Sequence, residues 1–520
     1  MVRGLAPYYL MLRRQLAPIA GPEAPRRVLL LCLAGICVLS VPVFCTRFLN
    51  DMDYYSLVSD KLMRGGVLYR NAIDTKPPLV FLHYATIFKL FGRGNITAVK
   101  IVTMACLFLS SLLVRALYQE LFPRSRRPEL AALLFVLASF SGWGEDFLSS
   151  NTELLSNVFV LGGVWLMVRN DFGSRALQLL PAGVLIGVAC LYRYQAGAIL
   201  AAYLFTIVSA PALFDRRIWR LAMLGVGWLI PLAAIAAYYR RIDGVRDLAF
   251  LIQYQRFYVS AQALYWPQAL GQIAVVLAGQ APFILLAGSQ VARTMRRSLG
   301  KRDLFLLMFL LFSVLPFFIG GHYFAHYVVQ AIPAFVLLAT ERLHPSEDAS
   351  ANRRDGTVFK HARAFIAVTV TVFWIVNLTY YAARPAEAPA PDLVRFVRAQ
   401  TDPKDLVFLW TQRSQVLFDF DRGYATRFLS NEFLTGRTYG SKYRGTTATA
   451  ESARAAAVPE LWPALLEDLE AEKPRLIVDD APERSNFTID HYPLLSAFVR
   501  TYYDSGRTLD GFCVYVRKAG

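Results

Sequence analysis

Charge is scarce in this chain. Asp, Glu, Lys and Arg make up 18% of its 520 residues, against roughly a quarter in ordinary globular domains, while 55% are hydrophobic and the mean hydropathy is positive. That shortage excludes an ordinary soluble domain and predicts a multi-pass membrane protein. Cysteine is equally sparse. The six present (Cys32, Cys37, Cys45, Cys106, Cys190 and Cys513) sit mostly in apolar stretches with neither CxxC nor other metal-ligand spacing, which excludes a disulfide framework and a zinc site. Acidic residues (38) are outnumbered by basic ones (55), giving a net charge of +17. In a soluble protein that excess would suggest nucleic acid; here basic loops held in the cytoplasm account for it, and no nucleic-acid partner is expected. Internal repeats and low-complexity tracts are absent. No cleaved leader is expected, because the first apolar stretch, from Val28 to about Leu49, is long enough to span.

About eleven apolar stretches approach the length needed to cross a hydrocarbon core. They lie near residues 28–49, 97–116, 129–142, 154–168, 176–191, 196–213, 218–238, 268–289, 304–319, 326–340 and 364–382. The segment from Leu79 to Phe91 is too short and carries Lys89, so it reads as an interfacial helix. Placing the N-terminus inside puts Arg124, Arg126 and Arg127, then Arg216, Arg217 and Arg220, and then Arg353, Arg354, Lys360 and Arg363 in cytoplasmic segments. The short outer loops hold almost no basic residues. From Arg384 onward helix and strand signals alternate ("DLVFLW", "PELWPALLEDLEAEK", "RLIVDD", "GFCVYVR"), as expected of a small α/β domain. The expected organisation is a membrane helix bundle over residues 1–383 and an extracytoplasmic α/β domain over 384–520, in a bacterial inner membrane with the N-terminus cytoplasmic.

With this threading, ionisable residues from five separate loops meet at the outer face: Asp51 to Lys76, Glu145 to Glu153, Arg193, Tyr254 to Arg256, and His322 to Tyr327. Charge at a membrane boundary is costly unless paired or functional, so an active or binding site is expected there. In "NDMDYYSLVSDKLM" the apolar positions Tyr54, Leu57, Val58 and Leu62 predict an amphipathic helix with Asp51 at its start. Asp51 there is either an N-cap or a reactive carboxylate. Asp51-Met-Asp53 also matches the metal-binding Asp-x-Asp of soluble nucleotide-sugar transferases. In "DTKPPLVF" two prolines hold Lys76 in an extended turn, presenting an ammonium at headgroup depth, suited to a phosphate or simply snorkelling.

These segments, followed by "FGRGNITAVKIV", "NTELLSNVFVLGGVWL", "GVLIGVACLYRYQAGAI" and "HYFAHYVVQAIPAFVLL", resemble the GT-C membrane glycosyltransferases over about residues 28–382. The resemblance is to the branch holding protein O-mannosyltransferases, lipid A aminoarabinose transferases and rhizobial lipopolysaccharide galacturonosyltransferases. It implies a mainly α, polytopic GT-C bundle and transfer, with inversion, of a sugar from a polyprenyl phosphate donor to a lipid, glycan or protein acceptor. It also implies roles for individual residues. Asp51 corresponds to the catalytic loop-one Asp, with Asp53 sharing or taking the role because the usual Asp-Glu is replaced here. Lys76 corresponds to the lysine near the carrier phosphate. Glu153 falls at a second acidic loop position, or is only a helix N-terminal charge. Arg193, His326 and Tyr327 fall where relatives place further polar groups, and these three with Arg256 are expected to serve the donor phosphate and lipid; Arg193 also reads as an anchor, and His326 and Tyr327 as interface residues. Tyr54, Tyr55 and Tyr69 suit stacking on a sugar ring, or are ordinary interface tyrosines.

No cofactor is expected; a divalent cation is compatible with the two aspartates but not required. The alternatives are a transporter or flippase for a lipid-linked glycan, which would place charges at mid-span and show paired half-repeats, and a scaffold whose outer domain binds a partner.

Overall fold

The computed structural model describes residues 26–125, 127–210, 216–249, 251–252, 266–318, 323–344, 353–383, 390–411, 413, 415–436, 458–482, 485 and 487–519. Thirteen helices account for most of the chain before residue 384: α1 (Arg26–Leu39), α2 (Met52–Met63), α3 (Leu79–Phe91), α4 (Ile96–Leu121), α5 (Pro128–Ser139), α6 (Thr152–Arg169), α7 (Leu180–Tyr192), α8 (Ala198–Ser209), α9 (Arg217–Arg241), α10 (Trp266–Thr294), α11 (Lys301–Phe318), α12 (Ile332–Leu343) and α13 (Arg353–Ala383). Five stretches among the described residues are long and apolar enough to cross a membrane: Ile96–Leu121, Thr152–Arg169, Arg217–Arg241, Ala269–Thr294 and Lys360–Ala383. The other apolar helices are shorter. The first expected span, 28–49, is not one helix: α1 ends at Leu39, a single turn Val41–Phe44 carries Pro42, and the chain then leaves helical geometry before α2.

Close helix contact in the bundle depends on small residues. Gly183 and Gly187, four apart on one face of α7, lie against the backbone of α9. A Cβ at Gly183 would overlap the Leu224 carbonyl oxygen, and one at Gly187 the Trp228 carbonyl oxygen; Gly227 of α9 meets Leu180 in the same way. Association inside a membrane relies on such packing because lipid tails are as apolar as the helices. Gly183→Leu is therefore expected to separate α7 from α9 and lower the apparent unfolding temperature by several degrees, at about 1–3 kcal/mol of overpacking. A fluorescence melt in neutral micelles checks it, and an unchanged midpoint would contradict this packing.

After residue 390 come α14 (Pro391–Gln400), α15 (Trp462–Glu472) and α16 (Pro493–Tyr502), and strands β1 (Leu406–Trp410), β2 (Gly423–Tyr424), β3 (Leu476–Asp480), β4 (Arg507–Leu509) and β5 (Phe512–Val516). The sheet order is β2-β1-β3-β5-β4. β1 runs parallel to β2 and β3, with Val407 opposite Leu476; β3 and β4 run antiparallel to β5. The central "LVFLW" and "LIVDD" are continuous runs because almost every residue in them is buried. Asp510 and Gly511, both at positive φ, form the two-residue turn that closes the β4-β5 hairpin.

The sheet region is latched to α2 and to the loops on either side of α3. Asp60 has no exposed side-chain surface and accepts hydrogen bonds from Arg93, from Arg64 Nε at 3.0 Å and from the Tyr424 hydroxyl at 2.8 Å. Burial would raise the Asp60 carboxyl, but Arg93 and Tyr424 outweigh it and hold it below its ordinary value. Lys61 Nζ donates to the carbonyls of Tyr424 at 2.7 Å and Thr426 at 3.0 Å, and the Ile73 N–H donates to Arg427 O at 3.0 Å.

Candidate active site

The segment between α1 and α3 forms the floor of a cavity of about 690 Å³. Its lining includes Asn50, Asp51, Asp53, Tyr54, Asp74 and Lys76 from this segment, Trp143, Glu145 and Asp146 after α5, Gln272 of α10, His326, and Ser430, Glu432 and Phe433 from the sheet region. Asp51 immediately precedes α2, yet its side chain makes no capping bond. The cap alternative is thus corrected. Asn50 turns the chain at φ 46°, and the Asp51 carboxylate accepts from the Tyr55 hydroxyl at 3.1 Å. Asp53 Oδ1 accepts from the Tyr54 N–H at 2.7 Å.

Lys76 is positioned through its backbone. Its N–H donates to Asp74 Oδ1 at 2.7 Å, its carbonyl accepts from the Tyr69 hydroxyl at 2.7 Å, and Pro77 and Pro78 lead directly into α3. Lys76 also lines a second, small cavity of about 60 Å³ together with Thr75, Glu153, Arg193, Gln195 and Tyr327. Tyr69 is almost fully buried and lines neither cavity, so the sugar-stacking alternative for it is corrected; Tyr54 and Tyr55 both line the larger cavity, Tyr54 beside Phe433 with ring centroids 5.9 Å apart.

In the wall of the small cavity lies a buried ion pair. Arg193, 3% exposed, donates through Nη1 to Glu153, 2% exposed, and through Nε to Gln195 at 3.2 Å; its guanidinium stacks on the Tyr327 ring at 4.2 Å. These burials exclude the anchor alternative for Arg193 and the interface alternative for His326 and Tyr327. Arg193 Nη2 is buried and has no hydrogen-bond partner among the described residues. Glu153 sits in the first turn of α6 and also accepts from Thr152 Oγ1 at 3.1 Å. His326 joins the two cavities: Nδ1 lies 3.2 Å from Asp146 Oδ1 and 3.4 Å from Asn50 Nδ2, and Nε2 lies 3.8 Å from Glu153 Oε1. Arg256 lies outside the described residues.

Thus Asp51, Asp53, Lys76 and His326 share the larger cavity, and Lys76, Glu153, Arg193 and Tyr327 the smaller one. Sequence reasoning did not single out Asp74, although it stands two residues before Lys76 in "DTKPP". Nor did it find Ser430, Glu432 and Phe433, for which the sequence carries no signal. Six carboxylic side chains line the larger cavity against one lysine. Among the described residues, however, no group of three or more His, Cys, Asp or Glu side chains is arranged to hold a metal ion.

Asp74 is 5% exposed. Burial pushes its carboxyl up to about 7; the hydrogen bond from the Lys76 N–H and the Lys76 charge oppose the rise, and Asp51 adds to it. A carboxyl raised in the fold favours folding fully below its unfolded value of about 4, and that contribution disappears as pH rises through about 7. Asp74→Asn, which keeps the acceptor for the Lys76 N–H, is expected to flatten the fall in unfolding temperature between pH 4 and 7. Identical pH profiles for the two proteins would refute this burial effect.

Residues 75–239 match the family described as dolichyl-phosphate-mannose-protein mannosyltransferase. No curated protein sequence matches the chain. Among solved structures, the chain is similar to ArnT from Cupriavidus metallidurans bound to undecaprenyl phosphate, at 14% identity over 96% of this chain and 99% of that one, with a TM-score of 0.61. The apo form of the same protein matches at 14% identity over 95% and 98%, with a TM-score of 0.61. The oligosaccharyltransferase of Archaeoglobus fulgidus, tethered to an acceptor peptide, matches at 12% identity over 95% of this chain and 74% of that one, with a TM-score of 0.55. At these identities the likeness establishes the fold, and the fold is that of the GT-C membrane glycosyltransferases.

Proposed function

From a GT-C fold with this cavity at one mouth of its bundle, we propose that the protein is an inverting glycosyltransferase. It takes a sugar from a polyprenyl phosphate carrier and passes it to a hydroxyl of a lipid, glycan or protein acceptor on the extracytoplasmic face of a bacterial inner membrane. The observation that carries this reading is the presence of Asp51 and Lys76 in the lining of one cavity.

An acceptor hydroxyl attacks poorly until its proton is removed. The Asp51 carboxylate takes that proton as the acceptor oxygen bonds to the anomeric carbon, while the bond from that carbon to the carrier phosphate breaks and its electron pair leaves with the phosphate. The products are an inverted glycoside and free polyprenyl phosphate, with no covalent enzyme intermediate and no metal needed. Negative charge grows on the departing phosphate, and fixed cations lower that barrier more than mobile ones. Lys76 is fixed through both sides of its peptide, and Arg193 offers an unused N–H at the neighbouring small cavity. Asp53 and His326 line the same cavity as Asp51 and Lys76, and Glu153 holds Arg193.

The test is a reconstituted assay with a panel of polyprenyl phosphate sugars and envelope lipid, glycan and peptide acceptors. One donor is expected to be discharged to free polyprenyl phosphate with inversion in the product, and Lys76→Gln to slow this about a hundredfold. Translocation of a lipid-linked glycan without sugar transfer, or a folded Lys76→Gln protein at the wild-type rate, would overturn the assignment.

A further inference from the structure

Along α5, with its charged mouth at the end remote from the larger cavity, the bundle has a groove. It holds about 670 Å³ and lies between α5, α13, the end of α12 and the start of α1. α5 contributes Leu130, Leu133, Leu134 and Leu137, and α13 contributes Arg363, Ile366, Ala367 and Val370. Both sets follow the i, i+3, i+4, i+7 spacing of one helix face, so each wall runs about 10 Å along its axis.

The groove is charged at one end only. Arg127, the residue before α5, and Arg363 stand there with Glu129 and His344. Glu129 is already engaged by Arg115 at 3.4 Å, and Arg363 Nη2 lies 3.1 Å from His344 Nε2. Burial, and then the charges of Arg127 and Arg363, hold the imidazole below its ordinary value, which leaves it neutral at pH 7. Among the described residues, the net charge of the mouth therefore rests on two guanidinium groups facing an otherwise apolar slot.

The surroundings decide what fits. Phe365, Val368 and Val372 of α13 are about half exposed, so this helix faces lipid beside the groove. The catalytic cavity cannot be the source of the occupant's headgroup, because α5 separates the two: Arg127 precedes its first residue, whereas Trp143 of the cavity follows its last, roughly 18 Å away along the axis. An occupant matching both ends carries an anion on an apolar chain.

We propose that this groove binds an anionic phospholipid of the surrounding leaflet, its phosphate between Arg127 and Arg363 and an acyl chain along the leucines of α5. Guanidinium groups pair with phosphate oxygens through two parallel N–H donors, and basic pockets between membrane helices take anionic headgroups by the same chemistry. The site is independent of the transferase reading, because none of its residues lines either catalytic cavity.

The test uses the full chain in neutral maltoside micelles, titrated with phosphatidylglycerol or with phosphatidylcholine of the same acyl composition. Retained lipid is counted by native mass spectrometry, and the unfolding temperature is followed in parallel. Phosphatidylglycerol is expected to be retained roughly thirtyfold more tightly, the preference two well-placed cations supply, and to raise the unfolding temperature. R127A/R363A is expected to lose that preference while still binding phosphatidylcholine as the wild type does. Should the alanine pair fail to fold, R127Q/R363Q gives the same reading, and the wild-type lipid comparison decides the matter without any variant. Equal retention of the two lipids, an unchanged preference in the double variant, or the full thermal shift from inorganic phosphate alone would each overturn the proposal.

Discussion

Asp51→Asn is expected to fold normally and to lose about 10²- to 10⁴-fold of its transfer rate, the range supplied by a positioned general base. The substitution isolates chemistry from structure. The Asp51 side chain caps no helix, and its hydrogen bond, from the Tyr55 hydroxyl at 3.1 Å, can equally be accepted by an amide oxygen. An amide cannot take the acceptor's proton. Asp53→Asn is the internal control, since Asp53 lines the same cavity while its Oδ1 accepts from the Tyr54 N–H. Its loss should be smaller. Sugar transfer by a purified, correctly melting protein is the measurement; a wild-type rate for Asp51→Asn, or a greater loss for Asp53→Asn, would remove Asp51 from the base position.

The second large effect concerns stability. Arg193→Ala is expected to cost about 3–5 kcal/mol, because it strands a buried carboxylate whose desolvation nothing then repays. Glu153 is 2% exposed, and without the guanidinium its remaining partners are Thr152 Oγ1 at 3.1 Å and the more distant His326. The stacking of Arg193 on Tyr327 is lost as well, for about 0.5–2 kcal/mol. Removing both charges should be milder than removing one. Denaturant unfolding in micelles should therefore find the Glu153→Gln, Arg193→Met double variant closer to wild type than Arg193→Ala. If Arg193→Ala costs less than about 1 kcal/mol, the pair is hydrated and its charges are not buried against each other.

Local pattern made much of the architecture legible. The period of "NDMDYYSLVSDKLM" marked α2, the length of Leu79 to Phe91 marked α3 as a short helix, and the runs "DLVFLW" and "RLIVDD" marked the two parallel strands at the centre of the sheet. The loss of helix after Leu39 was also written in the chain, in Pro42, but hydropathy reads apolarity and is blind to a missing backbone donor. Membrane count was less legible. Several apolar stretches fold into helices shorter than the bilayer, and apolarity alone does not distinguish a lipid-facing helix from one buried among its neighbours.

The site divides along the same line. Chain order brings Asp51, Asp53, Asp74 and Lys76 together because they belong to one loop and its flanking helix, so their shared cavity follows from local structure and two prolines. Glu153, Arg193 and His326 lie on three different elements, and which cation pairs with which carboxylate depends on helix packing no local pattern encodes. The sequence by itself determined that this chain is a membrane helix bundle with ionisable groups concentrated at one face and a small α/β region after it, because composition and periodicity are properties of neighbours along the chain. Only the tertiary structure decided that Ser430, Glu432 and Phe433 close the larger cavity and that Asp60 and Arg93 latch that region in place through Tyr424 and Asp421. Those contacts join residues hundreds of positions apart, and their energy comes from burying charge and apolar surface together, which no stretch of sequence can do alone.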